Sequence, residues 1–142
     1  MGTEEHLRIL AIDYGEKRVG FAITDPLRLF AYPLMTIKRD KNFWDKFEQL
    51  FKDYSIEIIV LGYPIKEDGS RSKSTELVEK FKTELEKKKS LKIELVDERY
   101  SSSIAKERIL ESVPSKKKRR DKNLVDMNAA AVILQDYLGM IE

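Results

Sequence analysis

Two short apolar runs separated by a polar turn open the pattern of the chain. Leu7, Ile9, Leu10, Ala11 and Ile12 form the first, which ends on Asp13, and Val19 to Thr24 form the second. The turn between them is Tyr14-Gly15-Glu16-Lys17. Two such runs joined through a glycine predict a β-hairpin that starts a sheet. Asp25-Pro26 begins a further turn, and Leu29–Ile37 predicts a third strand. Pro33 places that strand at an edge or a bulge, because proline has no amide to give a central ladder. From Asn42 to Tyr54 the period becomes helical, with Phe43, Trp44, Phe47, Leu50, Phe51 and Tyr54 on one broad face. An aromatic stripe at that spacing reads as core. Ile56–Gly62 is almost continuously apolar, the pattern of a strand covered on both sides.

Tyr63–Lys73 is a polar loop carrying Pro64 and Asp68-Gly69, and Glu76–Lys89 follows as an amphipathic helix with Leu77, Val78, Phe81 and Leu85 inward. Leu91–Val96 predicts another strand, leading into Asp97-Glu98-Arg99. Ser101–Ser103 can cap a helix that runs to about Ser112. Pro114–Asn123 is a charge run, and Leu124–Leu138 is an Ala-rich final helix. Strands come first, then helices and strands alternate. That order predicts an α/β fold: a mixed five-stranded sheet, antiparallel at its N-terminal strands and parallel after them, with helices on both faces. Function is expected where the parallel strands end and their loops emerge.

Composition narrows the classes. The 142 residues suit one domain, residues 1–142, and no internal repeat is visible. With 42% hydrophobic and 37% charged residues the chain has the make-up of a folded, very soluble protein. Its net charge of +2 excludes a uniform polycation, so any affinity for nucleic acid has to come from local clustering. The lack of cysteine excludes disulfides and thiolate–zinc sites. No run approaches the ~20 apolar residues that span a bilayer, and the acidic start has no signal-peptide core, so a cytoplasmic protein without a membrane partner is expected. His6, the single histidine, sits near the chain start and reads as a terminal residue rather than a ligand.

Three acidic positions stand in surroundings that make a carboxylate expensive. Asp13 ends the first strand, where a rigid element meets water; it also suits the start of a turn. Glu98, with Asp97 beside it as a less certain candidate, follows the strand Leu91–Val96; a surface ion pair with Arg99 is the plain alternative. Asp126 is the least expected. At about 100° per residue it shares a helix face with Ala129, Ala130, Ile133 and Tyr137, the face the helix has to bury. A buried carboxylate needs a compensating cation, although a first-turn Asp is also favoured by the helix dipole. If Asp13, Glu98 and Asp126 converge, their mutual repulsion requires a divalent ion. An all-oxygen set suits Mg²⁺ or Mn²⁺, one ion or two, the apparatus of phosphoryl chemistry.

Basic residues supply candidate phosphate contacts. Gly15 and Gly20 flank Lys17 and Arg18 in the hairpin, where absent side chains would let a phosphate approach and Arg18 could grip it with two bonds; ordinary turn chemistry also explains the glycines. Ser70, Arg71, Ser72 and Ser74 precede a helix whose first amides could hold an anion, and helix capping also explains the serines. Between Ser115 and Asn123, Lys116, Lys117, Lys118, Arg119, Arg120 and Lys122 outnumber Asp121 and leave a local charge of +5. A segment of that charge directly before the Asp126 helix fits a polyanion backbone, bound in a salt-dependent way and without base readout.

Four stretches together resemble the YqgF/RuvX family of pre-16S rRNA nucleases and Holliday junction resolvases: LAIDYGEKRVGFAITD (10–25), VLGYPIKEDGSRS (60–72), VDERYSSSIA (96–105) and NLVDMNAAAVILQDYL (123–138). They cover nearly the whole chain in the right order. The resemblance implies a ribonuclease-H-like fold and an acidic set at Asp13, Glu98 and Asp126, with Lys17-Arg18, Gly62, Asp68-Gly69-Ser70 and Arg99 at further motif positions. Tyr100-Ser101-Ser102 and Gly62-Tyr63-Pro64 depart from the family's commoner Leu-Thr-Thr and Gly-Leu-Pro, and neither change touches a carboxylate. The implied activity is metal-dependent cleavage of structured nucleic acid, processing the 5′ end of 16S ribosomal RNA or cutting branched DNA. A non-catalytic nucleic-acid-binding module is the second class. A nucleotide-handling ATPase ranks last, because those folds enclose the nucleotide between two such domains. With no exposed apolar helix face to read from the sequence, a monomer or weak homodimer is expected; symmetric cutting of a junction would favour the dimer.

Overall fold

A computed structural model describes residues 7–66, 68–97 and 122–141, apart from the side chains of 122–124. In chain order the elements are β1 (Arg8–Asp13), β2 (Arg18–Thr24), β3 (Ala31–Lys38), α1 (Phe43–Asp53), β4 (Ile56–Tyr63), α2 (Lys73–Lys88), β5 (Lys92–Asp97) and α3 (Lys122–Ile141). The strands form one sheet in the order β3-β2-β1-β4-β5. β2 runs antiparallel to β1 and β3, while β4 and β5 run parallel to β1 and to each other. This is the mixed α/β sheet that the strand-then-alternation order predicts. The expected helix from Ser101 lies outside the described residues.

Burial on both sides explains why β1 and β4 are so apolar. Leu10 and Ile12 of β1 pack with Phe21, Ile59 and Leu61 beneath α1 and α2, which contribute Phe43, Phe47, Leu50, Val78, Phe81 and Leu85. Ile9, Ala11, Ala22 and Val60 face the opposite way, against Ala130, Ile133, Leu134 and Tyr137 of α3. Small residues on that second face let α3 lie close to the sheet. Among the described residues no helix is long and apolar enough to cross a membrane.

Two element boundaries differ from the sequence expectation for identifiable reasons. Leu29 and Phe30 precede β3 instead of beginning it, because the Asp25 carboxylate accepts bonds from the amides of Leu27, Leu29 and Phe30 and wraps them into a loop. Both side chains are exposed. Arg28 in that loop takes a left-handed backbone, φ 58°, and its guanidinium is tied to the Leu7 carbonyl and to Glu57. Pro33 sits on the edge strand beside a register shift, as its missing amide requires. α2 begins at Lys73, ahead of Glu76, because Ser72 and Thr75 form a reciprocal cap. Fully buried Thr75 also donates from its hydroxyl to the Pro64 carbonyl, which ties the preceding loop to the helix.

Candidate active site at the ends of the parallel strands

Parallel pairing brings the carboxyl ends of β1, β4 and β5 to one edge. Ile12 lies opposite Leu61, and Gly62 lies opposite Val96, so Asp13, Gly62 and Val96 fall at the same level of adjacent strands. Side chains alternate along a strand. With Ile9 and Ala11 packed against α3, Asp13 belongs to the α3 face of the sheet. Its cross-strand partner on that face is Gly20.

Gly20 is where α3 meets the sheet. A Cβ at Gly20 would lie 2.2 Å from the Asp126 carbonyl oxygen, with the Met127 nitrogen at 3.0 Å. The helix backbone therefore rests on the strand backbone at this point, and any side chain larger than hydrogen would lift it. Gly20 makes room for the helix, not for the phosphate that the sequence alone allows there. Gly15 closes the turn: a Cβ there would meet the Arg18 carbonyl oxygen at 2.5 Å. Asp13 and Asp126 thus stand on the same side of the sheet, both fixed by contact with Gly20.

Asp126 is half-buried, one to two turns before Ala129, Ala130 and Ile133, which are buried as the helical period predicts. The expected compensating cation is Arg18, whose Nε donates to Asp126 Oδ2 at 3.1 Å. Side-chain exposures of 28% and 24% leave the pair within reach of water. The dipole explanation does not apply, because α3 starts at Lys122 and Asp126 falls beyond its first turn. Arg18 and Asp126 line a groove of about 320 Å³ together with Tyr14, Gly15, Glu16, Lys17, Ser74 and Leu77. Lys17 is exposed at its rim. Lys17 and Arg18 are therefore brought to one acid, while Ser74 of α2 closes the opposite wall.

The other expected site residues divide. Arg71 is engaged with Glu79, which also accepts from the Tyr63 hydroxyl at 2.9 Å. That bond to Glu79 pushes the Tyr63 phenol up. The Ser70 amide donates to Asp68 Oδ1 at 2.8 Å, and the Ser70 hydroxyl and amide hold the Asp68 carboxyl below its ordinary range. Ser70 and Arg71 lie outside the groove lining. Asp97 is exposed and adjacent to Val96, which packs on the α3 face, so alternation puts Asp97 on the other face, away from Asp13 and Asp126. Glu98, Arg99, Lys116, Lys117, Lys118, Arg119 and Arg120 lie outside the described residues, as does the side chain of Lys122.

A turn-supporting constellation escaped sequence reading. The Arg39 guanidinium lies over the rings of Phe43, Trp44, Phe81 and Tyr14, at 4.8, 5.4, 5.4 and 5.8 Å from their centroids. It also bonds Glu84 at 3.0 Å, while the Arg39 amide donates to the Lys17 carbonyl at 2.9 Å. Tyr14, whose ring lies tilted against Phe81 with centroids 4.4 Å apart, carries this packing to the residue next to Asp13. Only part of the cluster had a signal: Phe43 and Trp44 in the helical stripe of α1 and Phe81 on the inward face of α2.

The donor chemistry fits a hard divalent ion. Asp13 and Asp126 present carboxylate oxygens on one face, the chain has no cysteine, and no imidazole lies among the groove residues. Among the described residues no three acidic, imidazole or thiol groups gather, and Glu98, the third acid of the expected set, lies outside them.

Comparison with known proteins bears on the chain as a whole. The chain matches the family described as "RuvX: Holliday junction resolvase" over residues 7–140. A relative named "Putative pre-16S rRNA nuclease" from Azobacteroides pseudotrichonymphae is 42% identical over 135 residues, covering 94% of this chain and 97% of the relative. One of the same name from Chlorobaculum tepidum is 39% identical over 139 residues, covering 97% of each. Among solved structures, "T. thermophilus RuvC in complex with Holliday junction substrate" aligns with a TM-score of 0.57 at 13% identity, over 95% of this chain and 96% of that one. The fowlpox virus resolvase bound to Holliday junction DNA aligns at 0.55 and 15% identity, over 95% and 99%. At such identities the structural likeness establishes the fold, a ribonuclease-H-like one shared with resolvases.

Proposed function

Because the chain belongs to the RuvX family of Holliday junction resolvases, we propose that it is a divalent-metal-dependent nuclease hydrolysing phosphodiester bonds in structured nucleic acid. The substrate we assign is the 5′ end of precursor 16S ribosomal RNA, processed in the cytoplasm, in keeping with the names of the near-full-length relatives. Four-way DNA junctions are the second reading, favoured by the resolvases that share the fold. The observation that carries the proposal is the convergence of Asp13 and Asp126 on one face of the sheet at Gly20.

In this reading Asp13 and Asp126, with Glu98, hold one or two Mg²⁺ or Mn²⁺ ions. Such ions supply an activated water and stabilise the charge that builds on the leaving oxygen. Asp13 is held by β1 and Asp126 by the helix seated on Gly20, so little reorganisation is needed when phosphate arrives. Lys17 and Arg18 take phosphate oxygens from the groove rim. Arg99 and the Lys116–Lys122 segment extend the contact along the backbone, with salt-sensitive affinity; Ser70 and Arg71 are peripheral to this path. The protein acts as a monomer or weak homodimer. The test is a cleavage panel of precursor rRNA, single strands and four-way junctions with Mg²⁺ or Mn²⁺, run with wild type and Asp13→Asn. Wild type cleaves at least one structured substrate and the variant none; equal cleavage by both removes the proposal.

A further inference from the structure

Arg18 holds the carboxylate that the nuclease reading gives to a metal. Resting on that reading, we propose that Arg18 is a shared partner that couples metal loading to substrate binding. It neutralises Asp126 until a divalent ion takes that carboxylate, and the released guanidinium then binds a phosphate of the nucleic acid. Three features of the site lead there.

Asp13 and Asp126 share a face, and two carboxylates there need positive charge nearby. Arg18 supplies it from Nε through a single bond of 3.1 Å, so the terminal nitrogens of the fork are not what holds Asp126. The pair is about a quarter exposed on each side. Ion pairs with that access to water are weak and readily exchanged.

The backbones on both sides are fixed. Arg18 is the first residue of β2, paired in register with Lys38, and Asp126 is seated on Gly20. Exchange therefore needs only side-chain rotation. A divalent ion on Asp126 would repel the guanidinium beside it, and the groove shared with Lys17 is the open direction. Turned that way, the freed fork matches the two oxygens of a phosphate. A purely architectural ion pair joining α3 to β2 would look the same at rest, but it predicts the opposite response to Arg18 replacement.

The experiment is calorimetric titration of Mn²⁺, without nucleic acid, into wild type, Arg18→Gln, Arg18→Lys and Asp126→Asn. Removing the competing charge makes Arg18→Gln bind Mn²⁺ about threefold or more tightly than wild type, while Arg18→Lys stays near wild type and Asp126→Asn loses the site. In parallel, a fluorescent four-way DNA junction is titrated in Ca²⁺ and in chelator. Ca²⁺ strengthens wild-type binding and does so much less in Arg18→Gln. Equal or weaker Mn²⁺ binding by Arg18→Gln, with the loss in Asp126→Asn intact, overturns the coupling and leaves the nuclease reading standing. Wild type and Asp126→Asn binding Mn²⁺ alike, or neither binding it, overturns both.

Discussion

Gly20 and Asp126 are in backbone contact: the Cβ that Gly20 lacks would stand 2.2 Å from the Asp126 carbonyl oxygen. The obstacle is helix backbone, which cannot swing aside as a side chain can. Gly20→Ala therefore shifts α3 and with it the carboxylate. Overpacking of this kind destabilises by about 3 kcal/mol. Urea unfolding reads the loss, and Mn²⁺ titration of the folded variant shows weakened binding. A variant of wild-type stability and affinity would mean that the contact is slack.

Arg39 predicts a different kind of loss. Its side chain is mostly buried against four rings and braces the turn after Asp13 through Tyr14, while the bond to the Lys17 carbonyl comes from its backbone amide and survives substitution. Arg39→Met keeps the bulk but removes charge and planar stacking, and the expected cost is about 2 kcal/mol in urea unfolding. Arg39→Lys recovers only part of it, since an ammonium lacks the flat guanidinium face. The bond to half-exposed Glu84 adds little, so Glu84→Gln is nearly neutral.

Asp25 gives a pH prediction. Burial pushes its carboxyl up, but the amides of Phe30, Leu29 and Leu27 act the other way and together hold it below its ordinary 3.8. A depressed carboxyl stabilises the fold fully above its unfolded value and loses that contribution as pH falls through its folded one. Melting temperatures of wild type and Asp25→Asn, compared from about pH 6 to about pH 2, should differ most at the upper end and converge below the ordinary carboxylate range. A gap that stays constant with pH would assign the difference to the turn's shape instead of its charge.

Periodicity carried most of the architecture. The apolar runs of β1 and β4 and the stripe of α1 needed only local reading, and Pro33 announced an edge strand. Asp126 was conspicuous because a carboxylate on an apolar helix face demands a partner. Which cation answers that demand was not legible: Arg18 and Asp126 are 108 residues apart, and only the approach of α3 to β2 joins them. Gly20 misled for a related reason, since a missing side chain looks alike whether a phosphate or a helix fills the space. The strand from Leu29 was misjudged because apolar residues suggested pairing, whereas the Asp25 carboxylate had already captured their amides. Asp97 was no more than a less certain candidate in the sequence, and strand alternation, which only the packing of Val96 fixes, turns it away from α3.

The proposed centre of the site, divalent metal held by side chains from β1 and α3, is open to direct observation. Crystals grown with Mn²⁺ and measured at a wavelength where manganese scatters anomalously should show a peak on the α3 side of the sheet, about 2.2 Å from carboxylate oxygens of both Asp13 and Asp126. A cleavage-competent protein whose only manganese peak lies elsewhere would contradict the account.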